Sequence, residues 1–316
     1  MAGGLRCVLT SLGPLATRTD GLLAHLSRVL SSSEGVEAVL CTLCYTLVFV
    51  HSRLERLLER QYERLALALV ANASRSMLPG ETVIASIEAP RTRLSETVVS
   101  TKALADLIAD FRIFTRLWGL VTIYSWAKDH YIKPPGDPAL KLLVWAQVGA
   151  SAVFQFLENG AYLASKGVLR GDKWVTRGPK WDVWSNRFWL AHVLLESLRL
   201  LRVRQLRYNE EYGAKVKQDG DAGVSVSDRE VTVQSEALRR RWQRDCKHTS
   251  VHQYWPETRA DSYTLSSVYA NAGWFPLTLH WSFENASLSP VNETWVGLCG
   301  IVPGIVGLMN VWEQTS

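Results

Sequence analysis

The run TWVGLCGIVPGIVGLMNVW, from Thr294 to Trp312, carries no charged side chain. Its length approaches the about 20 residues that a helix needs to cross a bilayer. Glu293 and Glu313 bracket it, and Trp295 and Trp312 stand at its ends, where indole rings favour the headgroup level. Gly297, Gly300, Gly304 and Gly307 recur at steps of three, four and three, so one face is bare backbone containing a GxxxG. Small residues let helices approach closely where lipid offers no hydrophobic drive, and this face is expected to serve homo-oligomerisation. Pro303 predicts a bend. The competing reading is a buried hairpin in a soluble fold.

Composition supports membrane contact. The chain has 13 Trp and only 8 Phe, an excess that suits lipid headgroups, with a Trp-rich soluble core as the alternative. Five scattered Cys are odd in number, which argues for a reducing compartment and against a disulfide framework. The first twenty residues lack a continuous apolar stretch with a cleavage site, so no secretory signal is expected. Asn72, Asn285 and Asn292 open N-x-Ser/Thr triplets that matter only in a secretory lumen.

No catalytic constellation is visible. There is no phosphate-binding glycine loop, nucleophile elbow or HExxH. Cys41-x-x-Cys44 is a lone pair on an apolar helix, far in sequence from Cys246, His248 and His252, so neither a metal nor a cofactor is expected. The basic clusters lack an RNA- or DNA-binding module, and nucleic acid is not an expected partner.

The periodicity predicts an all-α, membrane-associated chain. Ser31 and Glu34 spell a capping box. Leu40, Leu43, Leu47, Val50, Leu54, Leu57, Leu58, Leu65 and Leu69 follow at helical steps among mixed charges, a pattern expected to pack on neighbouring helices. Pro79 and Gly80 are expected to end that helix. A second helical region is expected from Ser95 to Lys128. On its later half Ile113, Phe114, Leu117, Leu120, Val121 and Tyr124 gather on one side, with Arg112 and Arg116 opposite. Cations without carboxylates suit a helix lying on anionic membrane lipids, with core packing an equal competitor.

After the Pro134–Pro138 break, Gln147, Ser151, Gln155, Glu158 and Tyr162 share one face of an apolar helix. His192, Glu196 and Arg199 share a face of the next, predicted from Asn186 to about Arg207 beyond a basic loop. An antiparallel hairpin would set Glu158 against His192, with Glu196 and Arg199 near Gln155 and Ser151. Pairing matters because an unpaired ionisable group inside a bilayer costs about 2.5 to 3.5 kcal/mol on insertion scales. In a soluble bundle the same stripe would simply be solvated. The expected organisation is an amphipathic helical region and linker over 1–94, a membrane-binding helix and hairpin over 95–207, a polar flexible insertion over 208–272, and a glycine-rich membrane helix over 273–316.

FRIFTRLWGLVTIYSWAKD, then FLENGAYLASKGVL, then WSNRFWLAHVLLESLRLLR, then the glycine-rich C-terminal run resemble the peroxin-11 family of peroxisomal membrane proteins, most nearly its larger, divergent fungal C-type branch. The resemblance implies a non-enzymatic protein that elongates the peroxisomal membrane before division. It implies insertion of an amphipathic helix, here Phe111 to Tyr124, and work alongside a fission adaptor and a dynamin-related GTPase. Some members are thought to pass small metabolites, which makes a channel or carrier the alternative, through the Gln147 to Tyr162 stripe. The endoplasmic reticulum is the alternative location.

Overall fold

A computed structural model of the protein describes residues 21–76, 91–220, 260–285 and 288–315. It is all-α, with no strand among the described residues. The helices are α1 (Gly21–Leu30), α2 (Ser33–Ser76), α3 (Arg93–Thr115), α4 (Gly119–Ile132), α5 (Pro138–Ser165), α6 (Asp172–Gly220), α7 (Ala260–Trp281) and α8 (Glu293–Gln314). Of these, α2, α5 and α8 are long and apolar enough to cross a membrane. Pro79, Gly80 and residues 221–259 of the polar insertion lie outside the described residues.

Local chemistry explains the helix ends. The cap of α2 is Ser32, whose Oγ accepts from the Gly35 N–H at 3.0 Å. Ser31, the expected cap, instead donates to the Arg28 carbonyl. A reciprocal box does occur at α3, where Thr92 and Ser95 each accept through the side chain from the other's backbone N–H. Asp137 caps α5 by accepting from Leu140 N, with Pro138 in the first helical position. That helix ends in a Schellman turn: Gly167 adopts φ +71°, while Val168 and Gly167 donate to the carbonyls of Leu163 and Ala164.

Two sequence expectations change here. The region from Ser95 to Lys128 is two helices, interrupted at Arg116–Trp118 by tight turns such as Gly119 N to Arg116 O at 2.8 Å. The second hairpin helix starts at Asp172 instead of Asn186, so most of the expected basic loop is helical.

Contacts divide the chain into two compact units, residues 1–112 with 292–316, and residues 113–291. In the first, α2 packs along α8, with Ala38, Cys41, Tyr45, Val296 and Val311 buried. His25 of α1 stacks on Trp312. The Leu stripe of α2 is not the packing face: Leu43, Val50, Leu57, Leu65 and Leu69 are exposed. In the second unit α5 pairs with α6, and α7 packs on α6. Val144, Val193 and Leu277 are almost fully buried, each stabilising by about 1.5–3 kcal/mol. Trp189 rests against Phe154, Trp274 and Trp281, so these indoles serve the interior.

Candidate functional site

The α3–α4 segment carries the residues expected to bind lipid. Phe114, Trp118, Leu120, Val121 and Tyr124 are exposed, Val121 by 64% and Tyr124 by 68%, while Ile113 and Leu117 are half-buried. The cations lie elsewhere than the wheel suggests. Arg112 is buried in the first unit, its Nε and Nη2 donating to Glu37 Oε1 at 3.0 and 2.7 Å, with its guanidinium 5.4 Å from the Tyr45 ring centroid. Arg116, in the second unit, donates from Nη2 to Glu158 Oε1 at 2.7 Å. Each cation found a carboxylate within its unit, so neither is free for lipid phosphate. What the segment presents outward is apolar and aromatic.

The break between α3 and α4 is held by α5. Asn159 Nδ2 donates to the Leu117 carbonyl at 2.8 Å, satisfying an acceptor that a continuous helix would have used internally. A Cβ at Gly119 would strike the Gln155 amide. Gln155, read in the sequence as part of the stripe, and its neighbour Asn159 therefore hold this turn and the start of α4 in place.

The polar stripe of α5 does meet polar partners, in a different register. Ser151 Oγ lies 2.9 Å from His192 Nδ1, and Gln147 Nε2 donates to Glu196 Oε2 at 2.7 Å. Glu196 also receives both arms of the Arg199 guanidinium. Stepping along the two helices in that register sets Ser185, rather than His192, opposite Glu158. The carboxylate is paired instead with Arg116 and with Gln155 Nε2 at 3.1 Å. Gln147, Gln155 and Glu158 are all buried.

Asp137 and Arg202, which no sequence pattern had joined, close the far end of the hairpin through two hydrogen bonds of 3.1 and 2.9 Å. The Arg202 guanidinium holds the Asp137 carboxyl below the ordinary aspartate range. The available signal was Asp before Pro at a helix start, which marks a cap but does not name its cationic partner.

The glycine face of α8 is covered by α2 of the same chain. A Cβ on Gly297 would lie 2.6 Å from Phe49 N, one on Gly300 would overlap the Tyr45 ring, and one on Gly304 would lie 2.6 Å from Thr42 Oγ1. Only Gly307 has ordinary room, 3.4 Å from Ala38 Cβ. The close approach expected of these glycines is present, but its partner is internal. Cys41 and Cys44 are buried, and Cys44 Sγ faces the Ala105 carbonyl. Cys246, His248 and His252 lie outside the described residues.

A family model described as Peroxisomal biogenesis factor 11 (PEX11) matches residues 84–312. Comparison with curated proteins and with solved structures gives no match.

Proposed function

The chain belongs to the peroxisomal biogenesis factor 11 family, and from that premise we propose that it remodels and elongates the peroxisomal membrane by seating the α3–α4 apolar surface in one leaflet. The observation that carries this reading is the exposed set Phe114, Trp118, Val121 and Tyr124, beside three helices long and apolar enough to cross a membrane. An exposed aromatic surface of this kind marks an interaction site. Because Arg112 and Arg116 are engaged by Glu37 and Glu158, binding rests on apolar insertion more than on attraction to anionic headgroups.

The bend at Arg116–Trp118 supports a wedge. Asn159, donating to the Leu117 carbonyl, holds the turn and the start of α4 against α5, so the exposed rings of Trp118 and Tyr124 are presented from a fixed base. The channel alternative draws on the α5 stripe, but Gln147 Nε2, Ser151 and Gln155 Nε2 are bonded within the chain to Glu196, His192 and Glu158. Self-association and recruitment of a fission adaptor and a dynamin-related GTPase belong to the proposal too, through surfaces other than the glycine face.

The test uses the full chain reconstituted on liposomes. Val121→Asp together with Tyr124→Asp should remove tubulation seen by electron microscopy, while Arg116→Gln should leave insertion measurable at raised salt. Tubulation that survives the double substitution would refute the wedge.

A further inference from the structure

The first unit holds a cluster that the proposed function does not use. His51 and Glu55 stand one turn apart on α2, and Glu293 opens α8. One ligand atom from each lies within 4.8 Å of the others. His51 is buried, whereas the two glutamates are exposed. From this geometry we propose a divalent first-row metal site, fitted to Zn²⁺, that ties the start of α8 to α2.

Two further observations point to a ligand set rather than a chance meeting of charges. The His51 ring places Nδ1 3.2 Å from the Val98 carbonyl. A carbonyl can only accept, so Nδ1 carries a proton, and in the neutral imidazole that metal binding requires, the lone pair then sits on Nε2, on the side of the carboxylates. That is how a backbone acceptor orients a metal-binding imidazole. The distance from Nε2 to Glu55 Oε2, 3.8 Å, is too long for a hydrogen bond. Ligand atoms around a tetrahedral zinc ion with bonds near 2.1 Å stand roughly 3.4 Å apart, so a small movement of the exposed Glu55 and Glu293 side chains would bring all three into range.

The backbone on either side is already fixed. Ser52 Oγ donates to Thr294 Oγ1 at 3.0 Å, joining the residue after His51 to the residue after Glu293, and the Gly297 backbone lies against Phe49. A neutral imidazole and two carboxylates would balance a divalent charge. A nitrogen donor favours a transition ion over calcium or magnesium, which take oxygen ligands. Three protein ligands leave a fourth position for water, and the role that follows is a clamp at the end of a membrane helix pair.

The experiment titrates ZnCl₂ into chelator-stripped full chain in detergent micelles, reading binding by calorimetry and unfolding by heat. The expected result is one ion per chain and a raised unfolding midpoint. Glu55→Gln and Glu293→Gln, on exposed side chains, should each weaken binding by about tenfold or more while the metal-free midpoint stays put. Cys246→Ser with His248→Ala and His252→Ala should bind as the parent does. Absence of binding, or binding indifferent to both glutamate substitutions, overturns the site and identifies His51 and Glu55 as an ordinary ion pair.

Discussion

The helix pairs α2–α8 and α5–α6 solve one problem by opposite means. Along α2–α8 the contact is backbone against side chain: Gly297, Gly300 and Gly304 leave room for Phe49, Tyr45 and Thr42. Along α5–α6 polar side chains reach across, Gln147 to Glu196 and Ser151 to His192. Apolar environments give helices no hydrophobic reason to associate, and close packing and interhelical hydrogen bonds are the two remaining sources of adhesion. Each pair uses mainly one. The first is therefore sensitive to volume, and the second to the loss of individual polar partners.

The largest expected effect comes from the polar face of α5, through the one carboxylate whose partner lies outside α6. Glu158→Ala leaves Arg116 without its carboxylate in a partly dry setting and should destabilise by about 3 kcal/mol. Hydrogen exchange should rise in α4 and α5. Equal protection in the variant and the parent would show that the pair is screened by solvent.

Gly300→Leu should cost about 1–3 kcal/mol, because the added side chain meets the Tyr45 ring, with exchange rising in α2 and α8. Gly307→Ala sharpens the point. Its Cβ meets ordinary space, and a helical Gly→Ala change should be neutral or stabilising by about 0.5–1 kcal/mol. If both glycine variants behaved alike in thermal unfolding, close approach would not be what holds this pair.

The smallest effect concerns the end of the hairpin. Asp137 has its carboxyl pKa lowered chiefly by the hydrogen bond from Arg202. Its contribution is therefore fully present above the ordinary aspartate value near 3.9 and is lost as pH falls through the lower folded value. Asp137→Asn, which keeps a capping oxygen but not the charge, should lower the neutral-pH unfolding midpoint slightly and match the parent at strongly acid pH, where the parent's own carboxyl is protonated.

Helical class, the apolar C-terminal segment and the α5 stripe were legible because each rests on spacing within one segment. Partners were less so. The glycines announce close approach but not which helix approaches, and the matching face of α2, through Ala38, Thr42, Tyr45 and Phe49, contains no glycine to betray it. Its Leu stripe drew attention to the opposite, exposed surface. Hairpin register failed for a similar reason. With α6 starting at Asp172 instead of Asn186, Glu158 moves two turns away from His192, and its actual partner, Arg116, comes from the turn between α3 and α4, outside the hairpin. The break at Arg116–Trp118 depends on Asn159, distant in sequence, and no local signal marks it.

The α2–α8 pairing has a consequence for how the chain is made. About 250 residues separate Phe49 from Gly297, so at roughly 5–20 residues per second a ribosome takes on the order of ten to fifty seconds to deliver the second helix after the first. During that interval the Tyr45 face of α2 has no glycine backbone to rest on. A nascent chain must keep that face shielded, by lipid or by a chaperone, until α8 emerges.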